Sequence, residues 1–255
     1  QKYSLRNTSK SKKQAAKSIF KMVEKKVLLN PGPATTTDSV KLSQIVPDIC
    51  PREKEFADVM EFCSKNLIKI AGGDDNYSCI FFGGSGTAGM DAAINSVVYG
   101  KKILILNNGA YGERFVKIAK VYSIPFIELN FDFGKIDLVR VEETLKSEPD
   151  IGYIAMIHHE TTNGRLNPVK EIGIIAKRNN CVFIVDAISS FAGIPFSVKD
   201  YQIDFMISTS NKCIQGMAGI CFVICRKDEL EKTKNYPRKS FYLNLYDQYN
   251  YFKDN

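Results

Sequence analysis

Lys212 and Asp186 are the two residues whose types could do chemistry together, and each follows a largely apolar run of the chain. Lys212 comes five residues after the run 203–207, and Asp186 ends the run 181–186. A lysine amine can bind an aldehyde covalently, and a carboxylate can keep a ring nitrogen protonated. At the ends of buried strands, this pair is what a protein needs to hold pyridoxal phosphate and use it on amines.

Two other candidate features also follow apolar runs. The run 79–82 leads into a glycine-rich turn, 83–87, whose amides could approach a phosphate at the start of a helix. Tyr111 comes soon after the run 103–106 and places an aromatic ring near the same edge. The turn lacks the lysine and spacing of a nucleotide P-loop and does not fit the dinucleotide fingerprint. Each feature alone is more often structural, and it is their common position at strand ends that favours one site.

The two histidines of the chain, His158 and His159, are adjacent. Adjacent side chains on a strand point to opposite faces. The pair is therefore poorly placed to share a metal ion, and the sequence predicts no metal site.

The elements that must position these residues follow from the pattern after Val27, which alternates apolar runs with helical periods. This alternation predicts crossover units and a mostly parallel sheet. Runs that are apolar on both faces require helices on both sides, so we expect an α/β fold, a three-layer sandwich around a seven-stranded sheet. The predicted strands are 79–82, 103–106, 126–129, 151–157, 182–186, 205–208 and 220–225. The predicted helices are 53–70, 87–99, 113–122, 138–146, 169–178 and 228–234, with a short amphipathic helix within 15–26.

The net charge of +7 is concentrated in an N-terminal arm. Residues 1–26 contain nine Lys or Arg and one acid, Glu24, whereas the remainder contains 26 basic and 27 acidic residues. The folded body is thus nearly neutral, and we expect no nucleic-acid partner for it. The arm is predicted to be a linker or tether, with an upstream domain as one explanation.

The seven cysteines show no paired framework. Cys181, Cys221 and Cys225 lie inside apolar runs, where a reduced thiol behaves as a small hydrophobic group. This favours a reducing, cytoplasmic compartment. We expect neither a membrane span nor a signal peptide, because no apolar stretch reaches the roughly 18 to 20 residues that a span needs.

Longer segments of the chain resemble the 2-aminoethylphosphonate:pyruvate transaminases, a group of class V aminotransferases among the fold type I pyridoxal phosphate enzymes. The resemblance runs from about Val27 to the C-terminus, and its most specific part is Ser210-Asn-Lys-Cys-Ile-Gln-Gly216. The other matching segments are Leu28-Leu-Asn-Pro-Gly-Pro33, Gly84-Ser-Gly-Thr87, Asn108-Gly-Ala-Tyr-Gly112, His159-Glu-Thr-Thr-Asn-Gly164, 184–191 and Ser240-Phe-Tyr-Leu-Asn-Leu-Tyr246.

The resemblance implies a role for each matching residue. Lys212 would form a Schiff base with the cofactor aldehyde and then act as the base, while Asp186 would pair with the ring nitrogen. The other cofactor contacts would be Tyr111 and Ile188 on the two ring faces, Thr161 at the ring hydroxyl, Ser85, Gly86 and Thr87 at the phosphate, and Asn211 near it. Pro31 and Gly32 would contact the substrate. The implied reaction moves the amino group of 2-aminoethylphosphonate to pyruvate and gives phosphonoacetaldehyde and alanine.

The resemblance also implies a domain arrangement. Residues 27–255 would form the large domain of a fold type I transferase, after the basic linker or arm of residues 1–26. The family's C-terminal small domain, with its substrate-binding arginine, would be missing from this chain. Fold type I sites are assembled between two subunits, so a homodimer is expected.

Two alternative functions stay open at this point. One is a different class V enzyme, either an alanine:glyoxylate-type aminotransferase or an aminophosphonate lyase. The other is a catalytically incomplete fragment that folds and associates without turnover.

Overall fold

A computed structural model describes residues 26–30 and 32–253 of the chain. The amphipathic helix expected within 15–26 therefore falls outside the described residues, apart from Lys26, which is not helical. Pro31, one of the two expected substrate contacts, is also outside them.

A seven-stranded sheet forms the centre of the described part of the chain. In sequence its strands are β1 (Tyr77–Gly83), β2 (Lys102–Asn107), β3 (Phe126–Asn130), β4 (Ile151–Ile157), β7 (Val182–Asp186), β8 (Phe205–Thr209) and β9 (Ile220–Arg226). Their spatial order is β1-β9-β8-β7-β4-β2-β3. Only β9 runs against its neighbours, and the other pairs are parallel. The predicted strands and the mostly parallel sheet are confirmed.

A separate two-stranded ribbon, β5 (His159–Glu160) with β6 (Arg165–Leu166), was not predicted. Each of its strands has only two residues, which is too short to show the period-two alternation that identifies a strand. The ribbon follows β4 and contains most of a polar cluster, which is residues 158–164.

The described helices are α1 (Asp38–Leu42), α2 (Lys54–Ile70), α3 (Gly86–Val97), α4 (Ala110–Val121), α5 (Leu138–Ser147), α6 (Val169–Arg178), α7 (Lys227–Lys232) and α8 (Leu245–Lys253). A 3₁₀ turn, Thr233–Asn235, follows α7. The six helices predicted between residues 53 and 234 are present, with ends that differ by at most three residues. The prediction missed α1, which has five residues, and α8, whose aromatic residues are weak helix formers.

The sheet is covered by helices on both faces, which confirms the three-layer fold. Strand β2 illustrates this arrangement. Its residues Ile103 and Ile105 pack on one face of the sheet with residues of α3 and α4. Leu104 and Leu106 pack on the other face with residues of α5 and α6. Successive side chains of a strand point to opposite faces, so apolar residues are needed at every position. Among the described residues, no helix has the length and apolar character required to cross a membrane.

The strand directions place the candidate residues at one edge of the sheet. Strands β1, β2, β4, β7 and β8 run the same way, so their carboxyl ends lie together. The glycine-rich turn follows β1, the helix that carries Tyr111 follows β2, and the ribbon follows β4. Asp186 ends β7, and Lys212 lies in the loop that joins β8 to β9. This is the edge at which parallel sheets bind ligands.

Candidate active site

Asp186 is a buried carboxylate at the carboxyl end of β7, only 3% exposed. Its Oδ1 accepts a hydrogen bond from the backbone N–H of Ile188 at 2.7 Å. Its Oδ2 accepts none from the described residues. Burial raises the pKa of this carboxyl to about 7, opposed by the Ile188 N–H. Oδ2 is therefore free to bind a donor that enters the site.

Nearby charges also act on the pKa of Asp186 and show which side chains share its surroundings. Glu160 raises this pKa further, whereas Arg114 and Lys212 lower it. Charges act strongly only over short distances through a protein. Lys212 and Asp186, the expected catalytic pair, thus lie close enough at this edge of the sheet for their charges to interact.

Lys212 is held against the N-terminal segment of the described chain. Its Nζ donates to the carbonyl oxygen of Gly32 at 3.1 Å. Gly32 has φ +140°, and a Cβ there would lie 2.6 Å from Cδ of Lys212, so only glycine leaves room for the lysine. The backbone carbonyl of Asn211 accepts from the N–H of Ala34 at 3.3 Å, which fixes the same approach. Gly32 and Asn211 therefore both lie beside the lysine.

The glycine-rich turn opens α3 and packs against the loop after β7. Ser85 is the N-cap residue of α3 and makes no side-chain capping bond, and Gly86 is the first helical residue. The first N–H groups of a helix have no acceptor within the helix, so the amides of this turn can receive an anion. A Cβ on Gly86 would lie 2.6 Å from Cδ1 of Ile188. The turn and Ile188, predicted separately, are therefore neighbours.

Arg114 joins Thr87 to Tyr111. Its Nη1 donates to Oγ1 of Thr87 at 2.9 Å, and its guanidinium carbon lies 4.7 Å from the centre of the Tyr111 ring. Tyr111 and Arg114 are three residues apart in α4, a spacing that places side chains on one helix face. This contact connects α3 to α4 at the ligand-binding edge.

Glu160 is completely buried and anchors the start of α4. Its Oε2 accepts from the N–H groups of Tyr111 and Gly112, each at 3.2 Å, and its Oε1 accepts from the N–H and hydroxyl of Thr162 at 3.2 and 2.6 Å. A carboxylate at a helix N-terminus satisfies orphan donors and interacts favourably with the helix dipole. Gly109 is required here, because a Cβ would collide with the Glu160 side chain. Glu160 thus fixes the helix that presents Tyr111.

The two threonines after Glu160 differ in what their hydroxyls do. The hydroxyl of Thr162 donates to Glu160 and accepts from the N–H of Ala110 at 3.2 Å. The hydroxyl of Thr161, which is half-buried, makes no hydrogen bond with the described residues. Thr161 is therefore the threonine whose hydroxyl can donate to a ligand.

The two histidines serve the scaffold of this edge. His158 is buried, its Nδ1 lies 2.8 Å from Oγ of Ser190, and its ring stacks on Phe196. Burial lowers the pKa of His158 to about 4, so its ring is neutral at pH 7. Nδ1 of His159 lies 3.0 Å from Oγ of a different serine, Ser189. Each histidine thus fixes the loop after β7 through its own serine.

The structure brings the expected site residues to one place, except for Pro31, which is outside the described residues. The sequence analysis gave no role to Glu160 or Arg114. A signal existed for each, since Glu160 belongs to the polar cluster after β4 and Arg114 shares a helix face with Tyr111. Their roles depend on contacts between separate elements, which spacing alone does not reveal.

A groove of about 570 Å³ lies elsewhere, between α2, β1 and α8. Its lining includes Phe56, Met60, Phe81 and Tyr249 and none of the expected site residues. The position of the site is therefore decided by its chemistry rather than by cavity size.

Comparison with known proteins decides the family. The model of the family described as aminotransferase class-V matches residues 44–251. The chain belongs to the class V aminotransferases. A bifunctional phosphonoacetaldehyde hydrolase/aminoethylphosphonate transaminase of Clostridioides difficile is 41% identical over 249 residues, which are 96% of this chain and 39% of that protein. A 2-aminoethylphosphonate–pyruvate transaminase of Vibrio vulnificus is 41% identical over 226 residues, 88% of this chain and 61% of that protein.

Solved structures of aminotransferases share the fold of this class V chain. A pyridoxamine–pyruvate aminotransferase from Mesorhizobium loti superposes with a TM-score of 0.83 at 25% identity, over 91% of this chain and 59% of that one. A ureidoglycine–glyoxylate aminotransferase from Bacillus subtilis gives 0.82 at 24% identity, over 90% and 61%. The chain thus spans less than two thirds of these relatives, and the fold is that of the fold type I large domain.

Pyridoxal phosphate is the cofactor of class V aminotransferases. The donor set of the site fits it. Lys212 supplies an amine, Asp186 an unpaired carboxylate oxygen, Thr161 an unbonded hydroxyl, and the start of α3 free amides. These groups match an aldehyde, a ring nitrogen, a ring hydroxyl and a phosphate.

Proposed function

We propose that this chain is the cofactor-binding part of an aminotransferase that moves the amino group of 2-aminoethylphosphonate to pyruvate, giving phosphonoacetaldehyde and alanine. The observation that carries the proposal is the 41% identity to the Vibrio vulnificus transaminase over 88% of this chain. The aligned part includes the lysine and the aspartate whose surroundings fit the cofactor. Residues 27–255 are assigned to the large domain.

The residues assigned to the cofactor are those at the carboxyl edge of the sheet. Lys212 would hold it covalently, and Asp186 would pair with its ring nitrogen. The remaining contacts would be Tyr111 and Ile188 at the ring, Thr161 at the ring hydroxyl, and Ser85, Gly86 and Thr87 at the phosphate, with Asn211 nearby. When bound, the cofactor supplies an aldehyde that accepts amines and a ring that accepts electrons.

Lys212 has a second task as the proton carrier. Its amine is half-buried, and its hydrogen bond to the Gly32 carbonyl is the contact seen for Nζ in the described chain. When it is not bound to the cofactor, this amine would take the proton from the substrate carbon that bears the amino group. Gly32 is assigned to the substrate side of the site because it lies against this amine.

Asp186 stabilises the charge that develops during this proton transfer. Its carboxylate lies in a buried environment, where electrostatic interactions are strong. Its Oδ1 is fixed by the N–H of Ile188, so Oδ2 does not have to reorient to meet a ring N–H. This preorganised negative charge favours the protonated ring and so the transfer of electrons into it.

The first test combines borohydride reduction with peptide mapping. The protein is incubated with pyridoxal phosphate and reduced, and we expect one added cofactor on the peptide that contains Lys212. The Lys212→Ala variant should take up none, whereas Lys146→Ala, at an exposed lysine of α5, should behave as the native protein. Labelling of another lysine would contradict the assignment.

The second test measures alanine formed from 2-aminoethylphosphonate and pyruvate, with glyoxylate as a competing acceptor. We expect alanine from the natural full-length protein and little turnover with glyoxylate. Preference for glyoxylate would favour the alanine:glyoxylate type, and release of ammonia without formation of alanine would favour a lyase. Turnover by the full-length protein but not by this chain, with labelling of Lys212 in both, would show that the chain is a catalytically incomplete part.

We further infer two partners for this chain. A homodimer is expected because transferases of this fold build their sites between subunits, and light scattering of the purified protein tests it. An upstream domain that acts on phosphonates is supported by the bifunctional Clostridioides difficile protein, which aligns with 96% of this chain and so reaches into the basic arm of residues 1–26. The intact mass of the natural protein tests this second inference.

A further inference from the structure

Arg114 is a half-buried cation at the site that the proposed function leaves without a task. Its guanidinium lies over the Tyr111 ring and donates to Thr87. No carboxylate lies within ion-pair distance of it among residues 26–30 and 32–253. Its positive charge thus has no direct ion-pair partner in the described chain, although it acts at longer range on the buried Asp186, and it lies where α3 presents its free amides.

The direction of the bond between Arg114 and Thr87 follows from the chemistry of the two groups. A guanidinium has no acceptor, so Arg114 donates and Oγ1 of Thr87 accepts. The hydroxyl proton of Thr87 must then point away from Arg114. Because Thr87 is the second helical residue of α3, that proton is available to a ligand at the helix N-terminus.

The Tyr111 ring keeps the guanidinium in this position. A cation over an aromatic face is attracted by the ring, most strongly where water is partly excluded. The start of α4, which carries both residues, is itself fixed by Glu160 through the N–H groups of Tyr111 and Gly112. The Tyr111 ring and the anchored start of α4 therefore both restrict the position of the Arg114 guanidinium.

We propose that Arg114 is a positioning residue for the phosphate end of the site. It directs the hydroxyl proton of Thr87 toward a bound phosphate and places beside it a positive charge that has no direct ion-pair partner among the described residues. This inference rests on the proposed function, because pyridoxal phosphate is the ligand it serves. It assigns Arg114 to the phosphate and not to the ring or to the reacting carbon.

The test compares two ligands of the cofactor-free protein, pyridoxal phosphate and pyridoxal, which lacks the phosphate. Equilibrium dialysis gives the Kd of each. For Arg114→Gln we expect Kd for pyridoxal phosphate to rise about tenfold, the size expected when a charge-supported hydrogen bond is lost, and Kd for pyridoxal to stay unchanged. Arg114→Lys keeps the charge and one donor and should recover part of the loss.

The partner variant Thr87→Val shows whether Arg114 acts through this hydroxyl. We expect it to weaken pyridoxal phosphate in the same way, and the double variant to be scarcely weaker than Arg114→Gln, because coupled residues are not additive. Arg140→Gln is the matched control. Arg140 also lies over an aromatic ring, Phe131, at 5.4 Å, and it lies on α5 away from the site. It should leave both Kd values unchanged.

Two outcomes would overturn the inference while leaving the proposed function in place. One is an equal loss of affinity for both ligands in Arg114→Gln, which would indicate a general structural role. The other is a fully additive double variant, which would show that Arg114 does not act through Thr87. Failure of the native protein to bind either ligand would instead overturn the proposed function, and the inference with it.

Discussion

Replacing Asp186 with asparagine should make the cofactor-free protein more stable at alkaline pH, although the same change removes the charge proposed for catalysis. Asp186 is buried, and its pKa rises from 3.8 to about 7 because burial disfavours the charged form. Below pH 3.8 the carboxyl is protonated in the folded and the unfolded chain. Between pH 3.8 and about 7 only the folded chain keeps the proton, so stability falls as pH rises.

The shift of about three pKa units sets the size of this effect. At 1.36 kcal/mol per unit, ionised Asp186 costs the folded chain about 4 kcal/mol above pH 7. Asparagine is neutral at every pH, and its Oδ1 can still accept from the Ile188 N–H. We therefore expect Asp186→Asn to gain about 2 to 4 kcal/mol in unfolding free energy, relative to the native chain, between pH 4 and pH 8.

Urea unfolding of the cofactor-free protein at pH 4 and pH 8 measures this difference. Asp75→Asn, at an exposed aspartate, serves as the control and should show no pH-dependent gain. The buried Asp204, whose pKa burial raises to about 6, is present in every variant and cancels from the comparison. An equal effect of Asp186→Asn at both pH values would refute the view that the native protein keeps a strained charge ready for its ligand.

Three further changes test the site and the core. Gly86→Ala should weaken the binding of pyridoxal phosphate about tenfold, because its Cβ would meet Cδ1 of Ile188. Adding Ile188→Val to this variant removes that atom and should restore the affinity, which equilibrium dialysis measures. Glu160→Gln should cost about 2 to 3 kcal/mol in unfolding free energy, since four donors lose a carboxylate acceptor. The control Glu143→Gln, at an exposed position, should cost almost nothing. Equal costs would contradict the anchoring role of Glu160. Phe222→Ala, at a fully buried position of β9, should cost about 3 to 5 kcal/mol in urea unfolding, and a loss below 1 kcal/mol would show that this core is loosely packed.

The sheet was predictable from the sequence because its strands are buried on both faces. A strand such as β4 has no exposed position, so its run of apolar residues is continuous and its bounds coincide with the prediction. The order of the strands was not predictable in this way. Hydrogen bonding between β1 and β9, which are far apart in sequence, leaves no mark on the spacing of either.

Lys212, Asp186 and the glycine-rich turn could be proposed from the sequence because each lies at the end of a strand or within a few residues of it. The supporting residues could not, since their partners lie on other elements. Glu160 accepts a hydrogen bond from the N–H of Tyr111, which is 49 residues away in the sequence. Arg114 donates to Thr87, which is 27 residues away. Of the two adjacent threonines, Thr162 donates to Glu160, whereas the hydroxyl of Thr161 has no partner among the described residues. Such distinctions depend on the three-dimensional arrangement of neighbours.

The place of β9 in the sheet has a consequence for how the protein is made. Among residues 26–30 and 32–253, β1 lies at the sheet edge and pairs with β9 alone, yet the ribosome synthesises β9 more than a hundred residues later. Until residues 220–226 emerge, the nascent chain carries an apolar strand with unpaired backbone groups, the kind of segment that aggregates or recruits chaperones. The lysine loop emerges just before β9 and can be held in place only when β9 has joined the sheet. We therefore expect the cofactor to bind only after β9 has been synthesised.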